Sequence, residues 1–172
     1  MSLLRRLAAG VSALSLCALM TGTAFATGSW PGHQHHPNIY SNYRNLEVNT
    51  FFYAPSSVDM LDKATDITVH ATAYNIPATE RLQVCYTKPY DTAYFACTED
   101  FDEDQFNNQS LQIRNNLVVT DSSSPYYGHV APEISAKGDF TIIHKFPSGP
   151  GQSVYNDPGY DDITVRYTSY PY

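Results

Sequence analysis

The sequence predicts one all-β domain, an immunoglobulin-like antiparallel sandwich of about seven or eight short strands, preceded by a secretory leader. Three observations predict it. Short runs of β-branched and aromatic residues alternate with turn residues, as strands separated by loops do. Outside the leader no window sustains the i, i+3, i+4, i+7 apolar pattern of an amphipathic helix. Two cysteines, Cys85 and Cys97, flank a Pro- and Asp-containing turn at a spacing that a strand hairpin would place face to face.

Residues 1–26 carry Arg5 and Arg6, then an apolar stretch, then Ala24-Phe25-Ala26. That is the order of a signal peptide cleaved after Ala26, and the apolar run is too short for a membrane span. The expected mature chain has 146 residues, enough for one core. It keeps all 17 acidic residues against 8 basic ones, a formal charge of −9. Nucleic acid and anionic lipid both require a basic face, so neither is expected as a partner. In the oxidising compartment implied by the leader, Cys85 and Cys97 should form a disulfide. The expected location is periplasmic or extracellular.

Residues 27–45, polar and containing Pro31 and Pro37, read as a flexible arm, with the sandwich occupying 46–172. The first strand is expected at Leu46–Tyr53. Asp66–Tyr74 alternates Ile67, Val69, Ala71 and Ala73 against polar neighbours, the period of a half-buried strand. Arg81–Thr87 and Thr92–Thr98 flank Lys88-Pro89-Tyr90-Asp91 as a hairpin, and a register centred on Asp91 sets Cys85 opposite Cys97. Further strands are expected at Ser110–Thr120, bent at Asn115-Asn116, at Gly138–Phe146 and at Asp162–Tyr170, with a weaker one near Tyr126–Val130. A single helical turn is expected around Val58–Ala64.

Three constellations bear on function. Asp100, Asp102 and Asp104 alternate in an acidic run, the spacing at which loop oxygens ligate calcium, although Gln105 and Leu111 replace the Gly and Glu of an EF-hand loop. The competing reading is a solvated acidic turn. His33, His35 and His36 form an H-x-H-H cluster suited to zinc, copper or nickel, which His70, His129 or His144 would have to complete from the folded body. The competing reading is a polar linker, with His70 and His144 as packed or rim residues of their strands. The chain holds 14 tyrosines, and Tyr126, Tyr127, Tyr155 and Tyr160 fall where loops would present them to a sugar or a protein. No cofactor is required by any of these; calcium or a transition metal is the candidate.

The sequence contains no G-x-S-x-G, H-E-x-x-H, Walker loop or C-x-x-C, although a glycosidase carboxylate pair needs no local motif. Asn108-Gln109-Ser110 is a glycosylation sequon in a host with the machinery. From Gly159 onward, alternating Ile163, Val165 and Tyr167 with a terminal aromatic resembles the final strand of chaperone-usher pilus subunits. That resemblance implies an incomplete immunoglobulin-like sandwich polymerising by strand donation. The short Cys85–Cys97 spacing and Pro171 depart from the pilus pattern. The expected function is therefore a non-catalytic binding or surface-associated module for an extracellular protein or glycan. An assembly subunit is the alternative, and a small secreted hydrolase the second.

Overall fold

The computed structural model describes residues 26–154 and 157–169. The expected leader, apart from Ala26, and Tyr155 lie outside the described residues. Among the described residues, ten strands and one helical turn follow one another: β1 (Ala26–His35), β2 (Leu46–Phe52), β3 (Lys63–Ala71), β4 (Arg81–Thr87), β5 (Tyr94–Cys97), β6 (Phe101–Asp102), α1 (Glu103–Phe106), β7 (Gln109–Gln112), β8 (Val118–Val119), β9 (Asp139–Phe146) and β10 (Tyr160–Ser169). They build two antiparallel sheets. One has the order β1-β10-β3-β7; the other has the order β2-β9-β4-β5-β8, with β6 against β4.

The expected alternation decides which side chains meet between the sheets. Ile67, Val69 and Ala71 of β3, Leu82, Val84 and Tyr86 of β4, Phe140 and Ile142 of β9, and Ile163 and Val165 of β10 form one buried cluster. Removing this apolar surface from water is the main favourable contribution to the fold. The cysteine register also holds: Cys85 and Cys97 stand directly opposite on β4 and β5 and are joined by a disulfide.

The strand order differs from the expected immunoglobulin-like one. There the two sheets collect strands as ABED and CFG; here the first and last strands are antiparallel neighbours, Ala26 facing Ser169 and His35 facing Tyr160. Strand periodicity specifies the face each residue occupies and leaves the pairing order open. β10 lies between β1 and β3, so both its neighbours come from its own chain.

The segment expected as a flexible arm contains β1. Only Trp30 of this strand is buried, so the segment carries no two-residue hydrophobic period. Its order comes from the ladder to β10 and from Trp30, which enters the main core and donates Nε1–H to Ala136 O at 2.9 Å. Gly32 permits the close approach, since a Cβ there would stand 2.4 Å from Phe52 Cδ1. The helical turn expected at Val58–Ala64 is instead a pair of turns held by Asp59 and Asp62, whose carboxylates accept from Leu61 N and Asp59 N at 2.9 Å each. The helical turn that does form, α1, lies in the acidic run, where Gln105 Oε1 accepts from Asp102 N at 2.8 Å.

Replacing both cysteines by serine should lower the stability by about 2 to 3 kcal/mol, because the unfolded chain regains the freedom of a short closed loop. Urea unfolding of Cys85→Ser/Cys97→Ser measures it. An unchanged midpoint would show that the bond adds nothing to the β4–β5 pairing.

Candidate functional site

Two strands carry an ionisable residue on their apolar phase. In β9, His144 follows Phe140 and Ile142 and precedes Phe146 on the inward face. In β10, Asp161 precedes Ile163 and Val165 on the inward face. Both side chains are wholly excluded from solvent. Because the two strands belong to opposite sheets, their inward faces meet between the layers, and His144 Nε2 lies 3.1 Å from both oxygens of Asp161.

Three more ionisable groups join them from the ends of neighbouring elements. Glu80, just before β4, sets Oε1 2.5 Å from His144 Nδ1. Its other oxygen accepts the backbone N–H of Tyr74 at 2.8 Å. His36, one residue past β1, has its Nδ1 3.0 Å from Asp157 Oδ1, and that oxygen also accepts from Gly159 N at 2.7 Å. The side chains of Glu80, His144, Asp161, His36 and Asp157 thus form one buried chain in which carboxylates and imidazoles alternate.

Aromatic rings wall this chain in. Tyr74 stacks on His36 with centroids 4.3 Å apart and meets His144 edge-on, and Phe106 of α1 covers the other side of His144. The Tyr74 hydroxyl donates to Pro37 O at 2.7 Å. Burial, and then the carboxylates of Asp161, Asp157 and Glu80, push the Tyr74 phenol far above its ordinary range, so it stays a neutral donor. Gly159 leaves room for the packing, since a Cβ there would stand 2.5 Å from His36 Cε1 and 2.6 Å from Asp157 Oδ1.

The charges are then strongly coupled. Burial pulls the His144 imidazole down, but Asp161 and Glu80 on its two nitrogens outweigh that and push it up to about 9. Burial raises the Asp161 carboxyl, but His144 and His36 hold it well below the usual carboxylate range. A carboxylate oxygen on each ring nitrogen requires both nitrogens of His144 to donate, which makes it an imidazolium when no cation is present. His36 differs: its Nε2 is buried 3.4 Å from Asp161 Oδ1 but makes no hydrogen bond.

Of the expected histidine cluster, only His36 joins this site. His33 and His35 are exposed; His33 Nδ1 contacts Asp162 Oδ1 at 2.5 Å, and its ring lies 5.7 Å from that of His35. The acidic run is not gathered either. Asp100 pairs with Lys145 at 2.7 Å, Asp102 lies 3.4 Å from Arg81, and Asp104 is exposed on α1. Among the described residues, the one group of at least three His, Cys, Asp or Glu side chains with ligand atoms within 4.8 Å of one another is His36, His144 and Asp161. Sequence reading missed Glu80, Asp157 and Asp161. The available signal was Asp161 and His144 standing in phase with apolar strand residues, because an ionisable side chain is taken from water only where something compensates it.

The tyrosines occupy two surfaces. Tyr126 lines a groove of about 570 Å³ with Met60, Lys63, Lys88, Phe95 and Glu133. Lys88 Nζ sits 3.6 Å above the Phe95 ring, and Lys63 pairs with Glu133. Tyr127 is exposed in the same loop. Tyr160 lies on the outer face of the first sheet, 5.0 Å from His33 and stacked at 6.2 Å on His70.

The shifts of His144 and Asp161 make the chelator-treated protein pH-sensitive. An imidazole held above its ordinary 6.5 contributes stability that is fully present below that pH and lost as pH rises through about 9. A carboxyl held below its ordinary 3.8 contributes stability present above that pH and lost as pH falls through its lowered value. Stability should therefore peak between about pH 4 and 6.5. Urea midpoints against pH check this, and His144→Phe should abolish the alkaline decline. A decline that persists in that variant would assign it to another group.

No helix among the described residues is long and apolar enough to cross a membrane. No family model matches the chain, and no curated protein matches it. Among solved structures it is similar to a chain from the cryo-EM structure of Mud crab tombus-like virus, at 12% identity over 99% of this chain and 94% of that one, with a TM-score of 0.33.

Proposed function

We propose that this chain is an exported, non-catalytic β-sandwich module that binds an extracellular glycan in the groove beside Tyr126. The disulfide supports an extracytoplasmic location. The interleaved strand order supports a jelly-roll type of sandwich in place of the immunoglobulin-like type.

The observation that carries the binding reading is the composition of the groove. Tyr126, about half exposed, offers a ring face, and Met60 and Pro132 continue the apolar floor. Lys63, Lys88, Glu133 and Ser135 supply donors and acceptors around it. Sugars present one apolar face and a rim of hydroxyls, so an aromatic face ringed by polar groups is complementary to them.

The assembly alternative needs an edge strand free to pair. β1 is the long edge of its sheet, and Pro31 in its middle removes one ladder donor, which weighs against strand addition at that edge.

Titration of the 15N-labelled domain with a panel of neutral and acidic oligosaccharides should give saturable shifts at Tyr126, Lys88 and Met60. Tyr126→Ala should weaken binding about tenfold, the loss of one ring contact. The same substitution should change stability by less than about 0.5 kcal/mol, since the side chain is at the surface. Absence of any saturable shift, together with concentration-dependent self-association, would replace the binding reading by the assembly one.

A further inference from the structure

We propose that His36, His144 and Asp161 form a buried site for one divalent transition cation of the zinc type, with Asp157 and Glu80 orienting the two imidazoles. The site uses residues that the groove reading leaves unused.

The arrangement of ring nitrogens is the first argument. A metal-binding histidine commonly gives one nitrogen to the ion and the other, as N–H, to a carboxylate that fixes its tautomer and orientation. Both histidines are set up in this way. His36 Nδ1 is 3.0 Å from Asp157 and His144 Nδ1 is 2.5 Å from Glu80, which leaves both Nε2 atoms turned toward Asp161. The carboxylates are themselves held, Asp157 by Gly159 N and Glu80 by Tyr74 N.

Spacing is the second. His144 Nε2 lies 3.1 Å and His36 Nε2 3.4 Å from Asp161. Two ligands bound tetrahedrally to one zinc at its usual bond lengths stand about 3.3 Å apart. His36 Nε2 is wholly buried without a hydrogen bond, a polar atom that costs stability unless something occupies its lone pair. A cation held between the three atoms would accept that lone pair and replace the proton on His144 Nε2.

Charge is the third. Glu80, Asp157 and Asp161 place three carboxylates out of water beside two imidazoles. Without a cation the protonated His144 offsets one of these three charges; a dication that displaces that proton, with both imidazoles neutral as metal ligands must be, offsets two and leaves the cluster at −1. Two nitrogens and one carboxylate oxygen suit zinc and its neighbours, whereas calcium takes six or more oxygens, which this site lacks. A fourth position remains for the second Asp161 oxygen or a water.

The ligands come from the end of β1, the middle of the second sheet and the start of β10, so the ion would tie both sheets and both terminal strands together. Its burial among Tyr74, Phe106 and the core makes it a structural centre.

The test uses the protein with its disulfide intact. Metal analysis of protein equilibrated with zinc and then desalted should find one zinc per chain, and the melting temperature should fall on chelation and return with zinc but not with calcium. Glu80→Gln and Asp157→Asn should each weaken zinc binding 10- to 100-fold while the fold is retained, and His33→Ala/His35→Ala should leave it unchanged. Substoichiometric zinc with a melt indifferent to chelator and zinc in the wild-type chain would overturn the proposal. So would zinc lost only in the His33/His35 variant, which would move the site to the surface of β1. The wild-type measurements stand even if a variant fails to fold.

Discussion

Three carboxylates lie where water does not reach, at one end of the space between two β-sheets, and the architecture around them is arranged to compensate that charge. Moving an ionised carboxylate into a protein interior costs several kcal/mol unless an opposite charge and hydrogen bonds meet it. Here the compensation comes from His36 and His144, which interleave with Glu80, Asp157 and Asp161. The members arrive from four parts of the chain, with Asp157 and Asp161 together around the start of β10. The cluster therefore forms only when β1, β9, β10 and the approach to β4 are all in place. Removing one member leaves its neighbours buried without a partner, which is why such a network is conformationally exacting and locally rigid.

The same constraint explains features that otherwise look incidental. Gly159 must lack a side chain because His36 and Asp157 close over it. Tyr74 stays neutral and donates to Pro37 O, which anchors the segment leaving β1 directly above His36. β1, almost devoid of buried side chains, is fixed at one end by His36 and along its length by Trp30 and the β10 ladder. The groove beside Tyr126 is built separately, from the loops around Met60, Tyr126 and Glu133, so its side chains can be changed without touching the interior charges.

The strands with a clear two-residue period were legible in the sequence. β4, β9 and β10 fall within two residues of where alternation places them, β3 begins and ends three residues earlier than the expected Asp66–Tyr74, and the cysteine pairing follows from the hairpin register. β1 was not legible, because a strand that buries one tryptophan and is otherwise polar has no period to read. The sheet order was not legible either, since which strands pair over long separations depends on contacts that no local pattern records. At the site, His36 stood out only as part of a histidine run, whose other members the strand turns outward. Asp161 and Glu80 look like ordinary strand-end acids until the fold brings them to His144. The acidic run drew attention by its density, yet Lys145 and Arg81 pair with two of its members and α1 carries the third.

Two imidazoles and a carboxylate that meet in the interior are proposed as a metal centre. X-ray absorption at the zinc edge, on zinc-loaded and desalted protein, tests it most directly. Such a centre gives a first shell of nitrogen and oxygen at about 2.0 to 2.1 Å, with the outer-shell scattering of two imidazole rings. A spectrum of hydrated zinc, or one with a single imidazole, would contradict it and leave the cluster as a proton-compensated ion network.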